Sequence, residues 1–134
     1  MAKSAFHLQV IEIPVRNVSE SLKWYTEMFG LELCFPYEEG EEEACLNLSG
    51  MGFSLIAAKD IPRLDFVSAK GVRKPFFTFQ VDNIKDFREE MIQKGVDVSE
   101  LVFKPDGGYS CQFLDPSGNW MGIWGGWPKE GDGE

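Results

Sequence analysis

Residues 15–30 read VRNVSESLKWYTEMFG, and residues 81–95 read VDNIKDFREEMIQKG. Each stretch begins at the end of a strand with alternating apolar residues and contains an asparagine two residues later. It then continues with apolar residues at helical spacing and ends on a glycine. Asn17 and Asn83 lie 66 positions apart, and Gly30 and Gly95 lie 65 apart. A register this constant indicates an internal duplication of one strand–helix unit.

The first copy of the repeat extends in both directions from its helix. Residues 7–15 alternate in the manner of a half-buried strand, with Ile11, Ile13 and Val15 on one face. Ser19 offers a side-chain oxygen to cap the helix, which we expect to end at Gly30. Three short strands are predicted at residues 31–36, 44–48 and 53–57, so residues 8–58 form a βαβββ module.

The second copy has the same order of elements. We predict a strand at residues 75–81, a helix that ends at Gly95, and strands at 98–103, 109–114 and 120–124. The sequence therefore predicts an α+β domain over residues 1–134. Within it, the second module spans residues 74–125, a linker spans 59–73 and a flexible tail spans 126–134.

Composition argues against several classes of function. Acidic residues number 22 against 13 basic ones, and the formal net charge of -9 disfavours a nucleic-acid partner. His7 is the only histidine, which excludes a three-histidine zinc centre. The three cysteines lack CxxC spacing, and no apolar run resembles a signal peptide or a membrane helix. We therefore expect a cytoplasmic protein that does not enter a membrane.

The segment FLDPSGNWMGIW, at residues 113–124, completes a family pattern. With VRNVSESLKWYTEMFGLEL at 15–33 and FQVDNIKDFREEMIQKGVDV at 79–98, it resembles the vicinal oxygen chelate superfamily. This is also called the glyoxalase, bleomycin resistance and extradiol dioxygenase superfamily. The resemblance covers nearly the whole chain and implies a single domain of that type. It further implies two tandem βαβββ modules that form a curved, cup-shaped mixed sheet with helices on the outer face, and a homodimer.

The resemblance also indicates where a metal would bind. Metal-dependent members place one ligand on the first strand of each module and another on the last strand. These positions fall on Val10 and Phe76 for the first strands and on Gly122 for the final strand; the fourth is Ser54 or Ile56. None of these side chains is a good ligand for a divalent cation, so we expect neither a metal nor another cofactor.

Residues in phase with those positions would line the cup. They mix aromatic rings with polar groups, as small-molecule pockets commonly do. The residues that alternate with them, on the other face of the same strands, are wholly apolar and fit packing beneath the helices. Trp120 and Trp124 offer flat faces to a planar or cationic ligand, or else fill a core or an interface. Glu12 would hold a cationic group, act as a general base, or simply be solvated or paired. The ligand-binding candidates are Glu12, Phe76, Thr78, Gln80, Trp120 and Trp124.

The leading interpretation is a metal-independent small-molecule-binding protein of the sequestration or resistance type, with an organic ligand that is cationic or aromatic. The alternative is a lyase, isomerase or dioxygenase of the same superfamily that uses Glu12 as a base or contains an unrecognised metal site. A third is a structural or regulatory dimer with Trp120 and Trp124 in the interface. The acidic loop at residues 38–43 would be solvated or would attract a cation to the cup.

Overall fold

A computed structural model describes residues 5–127 of the chain. The chain divides into two compact units, Met1–Ile61 and Pro62–Glu134. Each unit contains one long helix and a four-stranded mixed sheet, which confirms the predicted α+β class. Among the described residues, no helix is both long enough and apolar enough to cross a membrane.

The first unit has the predicted βαβββ order. Its elements are β1 (Val10–Val15), α1 (Val18–Phe29), β2 (Glu32–Leu33), β3 (Glu43–Leu48) and β4 (Met51–Ala57). The strands lie in the order β1-β4-β3-β2. The outer strand β1 runs parallel to β4, and the other pairs are antiparallel.

The second unit repeats this topology. It contains β5 (Asp65–Val67), β6 (Arg73–Pro75), β7 (Thr78–Gln80), α2 (Ile84–Gln93), β8 (Val102–Lys104), β9 (Gly108–Leu114) and β10 (Trp120–Gly126). The main sheet has the order β7-β10-β9-β8, and β5 and β6 form a separate hairpin. Because β7 is parallel to β10 as β1 is to β4, the two sheets have the connectivity that a duplication predicts.

Helix capping explains the repeated asparagines. The Asn17 side chain accepts the Glu20 backbone N–H at 2.8 Å, and the Asn83 side chain accepts the Asp86 backbone N–H at 3.2 Å. The prediction of Ser19 as the N-cap was wrong, because Asn17 occupies that position and the Ser19 hydroxyl lies 2.7 Å from the Tyr37 hydroxyl. The glycine after α1 has φ +66 and the one after α2 has φ +80, the left-handed conformation that ends helices.

Each helix covers one face of its own sheet. In the first unit the Tyr25 ring on α1 meets the Phe53 ring on β4 edge-on, with centroids 5.2 Å apart. The side chains predicted to pack beneath the helices are all buried or half-buried: Ile11, Ile13, Val15, Phe77, Phe79, Val81, Met121 and Ile123. We call the other side of each sheet, which faces away from its own helix, its open face.

The segment treated as a linker has structure of its own. Residues 59–73 contain β5 and the start of β6, and the boundary between the units follows Ile61. Two arginines hold the Asp65 carboxylate in the hairpin, Arg73 at 2.5 Å and Arg63 at 3.1 Å. Of the predicted tail, Gly126 ends β10 and residues 128–134 lie outside the described part of the chain.

Candidate functional site

A polar row crosses the open face of the first sheet. Glu12 on β1 lies opposite Ser54 on β4, which in turn lies opposite Cys45 on β3. Directly paired residues of neighbouring strands point to the same side of a sheet, so these three side chains share one face. Glu12 is exposed, whereas Ser54 is buried with 2% exposure.

This row borders a cavity of about 360 Å³, which we call the first-sheet cavity. Gly52 makes room for it, because a Cβ at that position would lie 3.2 Å from the sulfur of Cys45. Two carboxylates and no basic residue line the cavity. The lining includes Glu12, Glu43, Cys34, Cys45, Ser54 and Phe35.

Cys34 and Cys111 are poor nucleophiles. Desolvation raises the pKa of the Cys34 thiol, and a hydrogen bond and charge repulsion from Cys45 raise it further. Burial also raises the pKa of Cys111, and the nearby Arg88 offsets part of that effect. Both thiols therefore stay protonated at neutral pH, which disfavours covalent catalysis by either.

The corresponding row on the second sheet is Thr78, Gly122 and Gln112, on β7, β10 and β9. A Cβ at Gly122 would lie only 2.7 Å from Oγ1 of Thr78, so the threonine side chain occupies the space that a larger residue would need. A cavity of about 490 Å³, the second-sheet cavity, opens above this row. Its lining also includes Trp120 and Trp124, which flank Gly122 on the same face of β10.

Both tryptophan rings are held in place. The indole N–H of Trp124 donates a hydrogen bond of 2.7 Å to the carbonyl of Gly107, in the turn between β8 and β9. The backbone N–H of Trp120 donates to the carbonyl of Arg63 at 3.0 Å, and the Arg63 guanidinium lies 5.9 Å from the centroid of the Trp120 ring. These contacts orient two half-buried aromatic surfaces before any ligand arrives.

The second-sheet cavity is basic. Arg73, Lys74 and Lys104 line it, and no carboxylate does. None of these three residues was among the predicted site residues, because Arg73 ends the presumed linker and Lys74 and Lys104 lie just outside the predicted strands at 75–81 and 98–103. Pairing of the strands, which is long-range, is what brings them beside the tryptophans.

The six ligand-binding candidates are distributed over both units. Thr78, Trp120 and Trp124 line the second-sheet cavity, and Glu12 lines the first-sheet cavity. Gln80 is exposed on β7 opposite Trp124 and lines neither of these cavities.

Phe76 also lines neither of these cavities. It is 54% exposed, precedes β7, and stacks on Phe66 with ring centroids 5.8 Å apart. Within the first unit, Glu12 pairs with Ser54 across the strands and Ser54 pairs with Cys45, and neither residue was predicted as a partner of Glu12.

Strand register identifies the fourth of the family's metal positions. Gly122 pairs with Thr78 and Ser54 pairs with Glu12, while Thr78 and Glu12 are themselves 66 positions apart. Ser54, rather than Ile56, is therefore the counterpart of Gly122. Because the four positions offer no carboxylate, imidazole or amide, these residues do not fit a divalent metal ion. In residues 5–127, no group of three or more His, Cys, Asp or Glu side chains could hold one.

The acidic loop forms an ordered turn in the first unit. The carboxylate of Glu41 accepts the backbone N–H of Glu38 at 2.7 Å, and the N–H of Glu41 donates to the carbonyl of Glu38 at 3.1 Å. A cavity of about 290 Å³ separates this turn from the start of α1. Its lining contains Arg16 as well as three of the glutamates, so the acidic charge there is partly offset.

Comparison with protein-family models assigns most of the chain. The model described as the Glyoxalase/Bleomycin resistance protein/Dioxygenase superfamily matches residues 7–123, which confirms the resemblance seen in the sequence. A comparison with curated proteins gives no match.

Several solved structures are similar over almost their whole length. TnmS3, an antibiotic binding protein from Streptomyces sp. CB03234, is 20% identical with a TM-score of 0.66, covering 93% of this chain and 99% of that one. The fosfomycin resistance protein FosX from Listeria monocytogenes is 12% identical with a TM-score of 0.70, covering 92% and 93%. Lactoylglutathione lyase from Agrobacterium tumefaciens is 15% identical with a TM-score of 0.66, covering 90% and 94%. At these identities the likeness shows a shared fold.

Proposed function

We propose that this chain, which belongs to the Glyoxalase/Bleomycin resistance protein/Dioxygenase superfamily, binds a small organic molecule without a metal ion. The observation that carries the proposal is the second-sheet cavity of about 490 Å³, where two anchored tryptophans flank a polar floor that lacks a metal donor at Gly122. Apolar walls with a few fixed polar groups are typical of sites that bind organic ligands. In this proposal the protein acts by sequestration or resistance.

The candidate residues have separate roles in this proposal. Trp120 and Trp124 would stack on a planar part of a ligand, and Thr78 would hydrogen-bond to it. Glu12, together with Glu43, would hold a cationic group in the first-sheet cavity. Phe76 and Gln80, which lie outside both cavities, would bind at the margin of the second sheet. The similarity in fold to TnmS3, an antibiotic binding protein, and to FosX, a fosfomycin resistance protein, supports ligands of this general kind.

Tryptophan fluorescence provides the first test. A panel of aromatic metabolites and antibiotics is titrated into the full chain, in buffer with and without EDTA, and a responsive ligand should bind equally well in both. The Trp124→Phe variant should lose most of the response. Trp24→Phe, on α1 in the other unit, is the matched control and should retain it.

Metal independence is tested on the same preparation. Elemental analysis of the purified protein, followed by calorimetric titration with Zn²⁺, Ni²⁺, Mn²⁺ and Fe²⁺, should show no stoichiometric binding. One bound metal per chain, or loss of ligand binding in EDTA, would contradict the proposal.

We also propose that the chain forms a homodimer. The β5–β6 hairpin and the residue after it present an apolar surface to solvent, which supports an interface. It consists of Phe66, Val72 and Phe76, which alternate onto one side of the hairpin and are each about half exposed, from 47% to 54%. Light scattering coupled to size-exclusion chromatography should give twice the chain mass, and a monomer at micromolar concentration would contradict this.

A further inference from the structure

The two cavities have opposite charge. Glu12 and Glu43 line the first-sheet cavity, which has no basic residue, whereas Arg73, Lys74 and Lys104 line the second-sheet cavity, which has no carboxylate. The chain as a whole carries a formal net charge of -9, so the basic lining runs against its overall charge. At physiological ionic strength charges are screened over about 8 Å, and the nearest side chains therefore dominate the potential inside a cavity.

Most of this positive charge is uncompensated. Asp65 accepts from two guanidiniums, those of Arg63 and Arg73, so one carboxylate balances two positive charges. Within residues 5–127, neither Lys74 nor Lys104 forms an ion pair. An anion in the cavity would therefore gain favourable interactions without displacing a carboxylate of residues 5–127 from either lysine.

The neutral groups of the cavity floor add hydrogen-bond donors. The side-chain oxygen of Gln112 already accepts from the Ser99 hydroxyl at 3.2 Å, which leaves its NH₂ group to donate to a ligand. Thr78 contributes a hydroxyl above the side-chain-free Gly122. A lining rich in donors matches a ligand rich in acceptors.

The aromatic walls define the rest of the ligand. Trp120 and Trp124 are four residues apart on β10, a separation of about 13 Å along an extended strand. Gly122 carries no side chain between them, and the Thr78 side chain fills the space beside it, so a fused ring system would lie over Thr78 and contact one indole face. The indoles themselves are fixed by Arg63 and by the Gly107 carbonyl.

We infer that the second-sheet cavity binds an aromatic carboxylic acid, with its ring against the tryptophans and its carboxylate near Lys74 and Lys104. This rests on the proposed function and names the ligand class for one of its two cavities. It differs from the cationic ligand suggested by Glu12, because Glu12 lies in the other unit. The fixed guanidinium of Arg73 adds a further donor for the same carboxylate.

The test uses probes that share one ring and differ in charge. The full chain is titrated by tryptophan fluorescence and calorimetry with 2-naphthoate, 2-naphthyl phosphate, 2-naphthylmethylamine, 2-naphthalenemethanol and inorganic phosphate. 2-Naphthoate should bind, the neutral alcohol should bind about tenfold or more weakly, and the affinity for 2-naphthoate should fall as KCl is raised.

Substitutions locate the site. Lys74→Met and Lys104→Met remove a charge while keeping a flexible apolar side chain, and each should lower the affinity for 2-naphthoate about fivefold. Lys104→Arg should retain affinity. Lys94→Met is the control, since Lys94 lies at the end of α2 with Glu90 as its partner and outside the cavity lining. Circular dichroism melts establish that every variant is folded.

The outcomes separate this inference from the proposed function. If 2-naphthylmethylamine or the alcohol binds through Trp124 and 2-naphthoate does not, the anionic ligand class is wrong and small-molecule binding stands. If no ring compound binds while the wider ligand panel also fails, both are wrong. If inorganic phosphate binds as tightly as 2-naphthyl phosphate, the aromatic part of the inferred ligand is wrong. If 2-naphthyl phosphate binds far more tightly than 2-naphthoate, the assignment of a carboxylate is wrong. Unchanged 2-naphthoate affinity in Lys74→Met and Lys104→Met would overturn the assigned location.

Discussion

Substituting Gly122 by alanine tests how the floor of the second-sheet cavity is built. The new Cβ would lie 2.7 Å from Oγ1 of Thr78, 3.2 Å from Cγ of Pro75 and 3.4 Å from Cβ of Thr78. Comfortable contacts between non-bonded carbons are about 3.5–4.0 Å, so the threonine side chain must move. Gly122 does not have a positive φ, and the expected strain is therefore steric rather than conformational.

The structure sets the size of the effect. Thr78 is β-branched, so only one of its three χ1 wells turns a hydrogen toward position 122. Overpacking of this kind costs about 1–3 kcal/mol, and replacing a strand glycine by alanine recovers about 0.5–1 kcal/mol of chain entropy. The free energy of unfolding should therefore fall by about 1–2 kcal/mol in Gly122→Ala.

Urea unfolding followed by tryptophan fluorescence measures the change, and a double-mutant cycle assigns its cause. Thr78→Ala removes the colliding oxygen and should restore most of the stability of Gly122→Ala, with a coupling energy of about 1 kcal/mol. Thr78→Val keeps a branched side chain of the same size and should not restore the stability of Gly122→Ala. A parallel ligand titration of Thr78→Val alone, which leaves Gly122 unchanged, isolates the loss of the hydroxyl.

If the changes in unfolding free energy caused by Gly122→Ala and Thr78→Ala add to within about 0.3 kcal/mol in the double variant, the steric explanation is refuted. A Gly122→Ala variant that is more stable than the parent chain would also refute it. The same geometry predicts that Gly122→Glu does not create a metal site, because Thr78 obstructs the new side chain and Val10, Ser54 and Phe76 still provide no carboxylate or imidazole.

Three further predictions concern the scaffold. Asn17→Ala and Asn83→Ala should each lower the free energy of unfolding by about 1 kcal/mol, because each removes the side chain that caps a helix, and urea unfolding checks both. Gly125→Ala should be more damaging, by about 3 kcal/mol, since its Cβ would collide with Cβ of Ile84, which no rotamer change can move. Burial raises the pKa of the Cys111 thiol in the folded state, so the unfolded state loses the thiol proton first as pH rises. The free energy of unfolding should therefore be unaffected at neutral pH and should decline above the usual range of thiol pKa values. Unfolding at pH 7.5 and 9.5 should show a smaller decline in Cys111→Ala than in the parent chain, and an equal decline would contradict the assignment.

The scaffold could be predicted from sequence because its signals are local. Asn17 and Asn83 act within one turn of the helices that they cap, and the glycines after the helices act at single backbone positions. Alternation along β1 and β10 likewise assigns side chains to faces without knowledge of the neighbouring strands. The Ser19 cap was wrong because two polar residues compete at the start of α1, and the asparagine lies one residue before the helix.

The cavities could not be predicted in the same way. The neighbours of Glu12 depend on the pairing of β1 with β4 and of β4 with β3, which joins residues far apart in the chain. The presumed linker carries no strong strand pattern, yet the shared carboxylate of Asp65 closes it into a hairpin that brings Arg73 to the second-sheet cavity. Such contacts follow from three-dimensional pairing and leave no periodic trace in the sequence.

Duplication followed by divergence accounts for the contrast between the cavities. The row Glu12, Ser54 and Cys45 in the first sheet corresponds by register to Thr78, Gly122 and Gln112 in the second, and no residue is shared. The capping asparagines, by contrast, are retained in both copies. Because backbone geometry depends on the retained positions and ligand chemistry on the diverged ones, each cavity was free to acquire its own charge. The overall charge of -9 therefore does not predict the ligand, whose chemistry is set within a screening length of about 8 Å by the side chains that it touches.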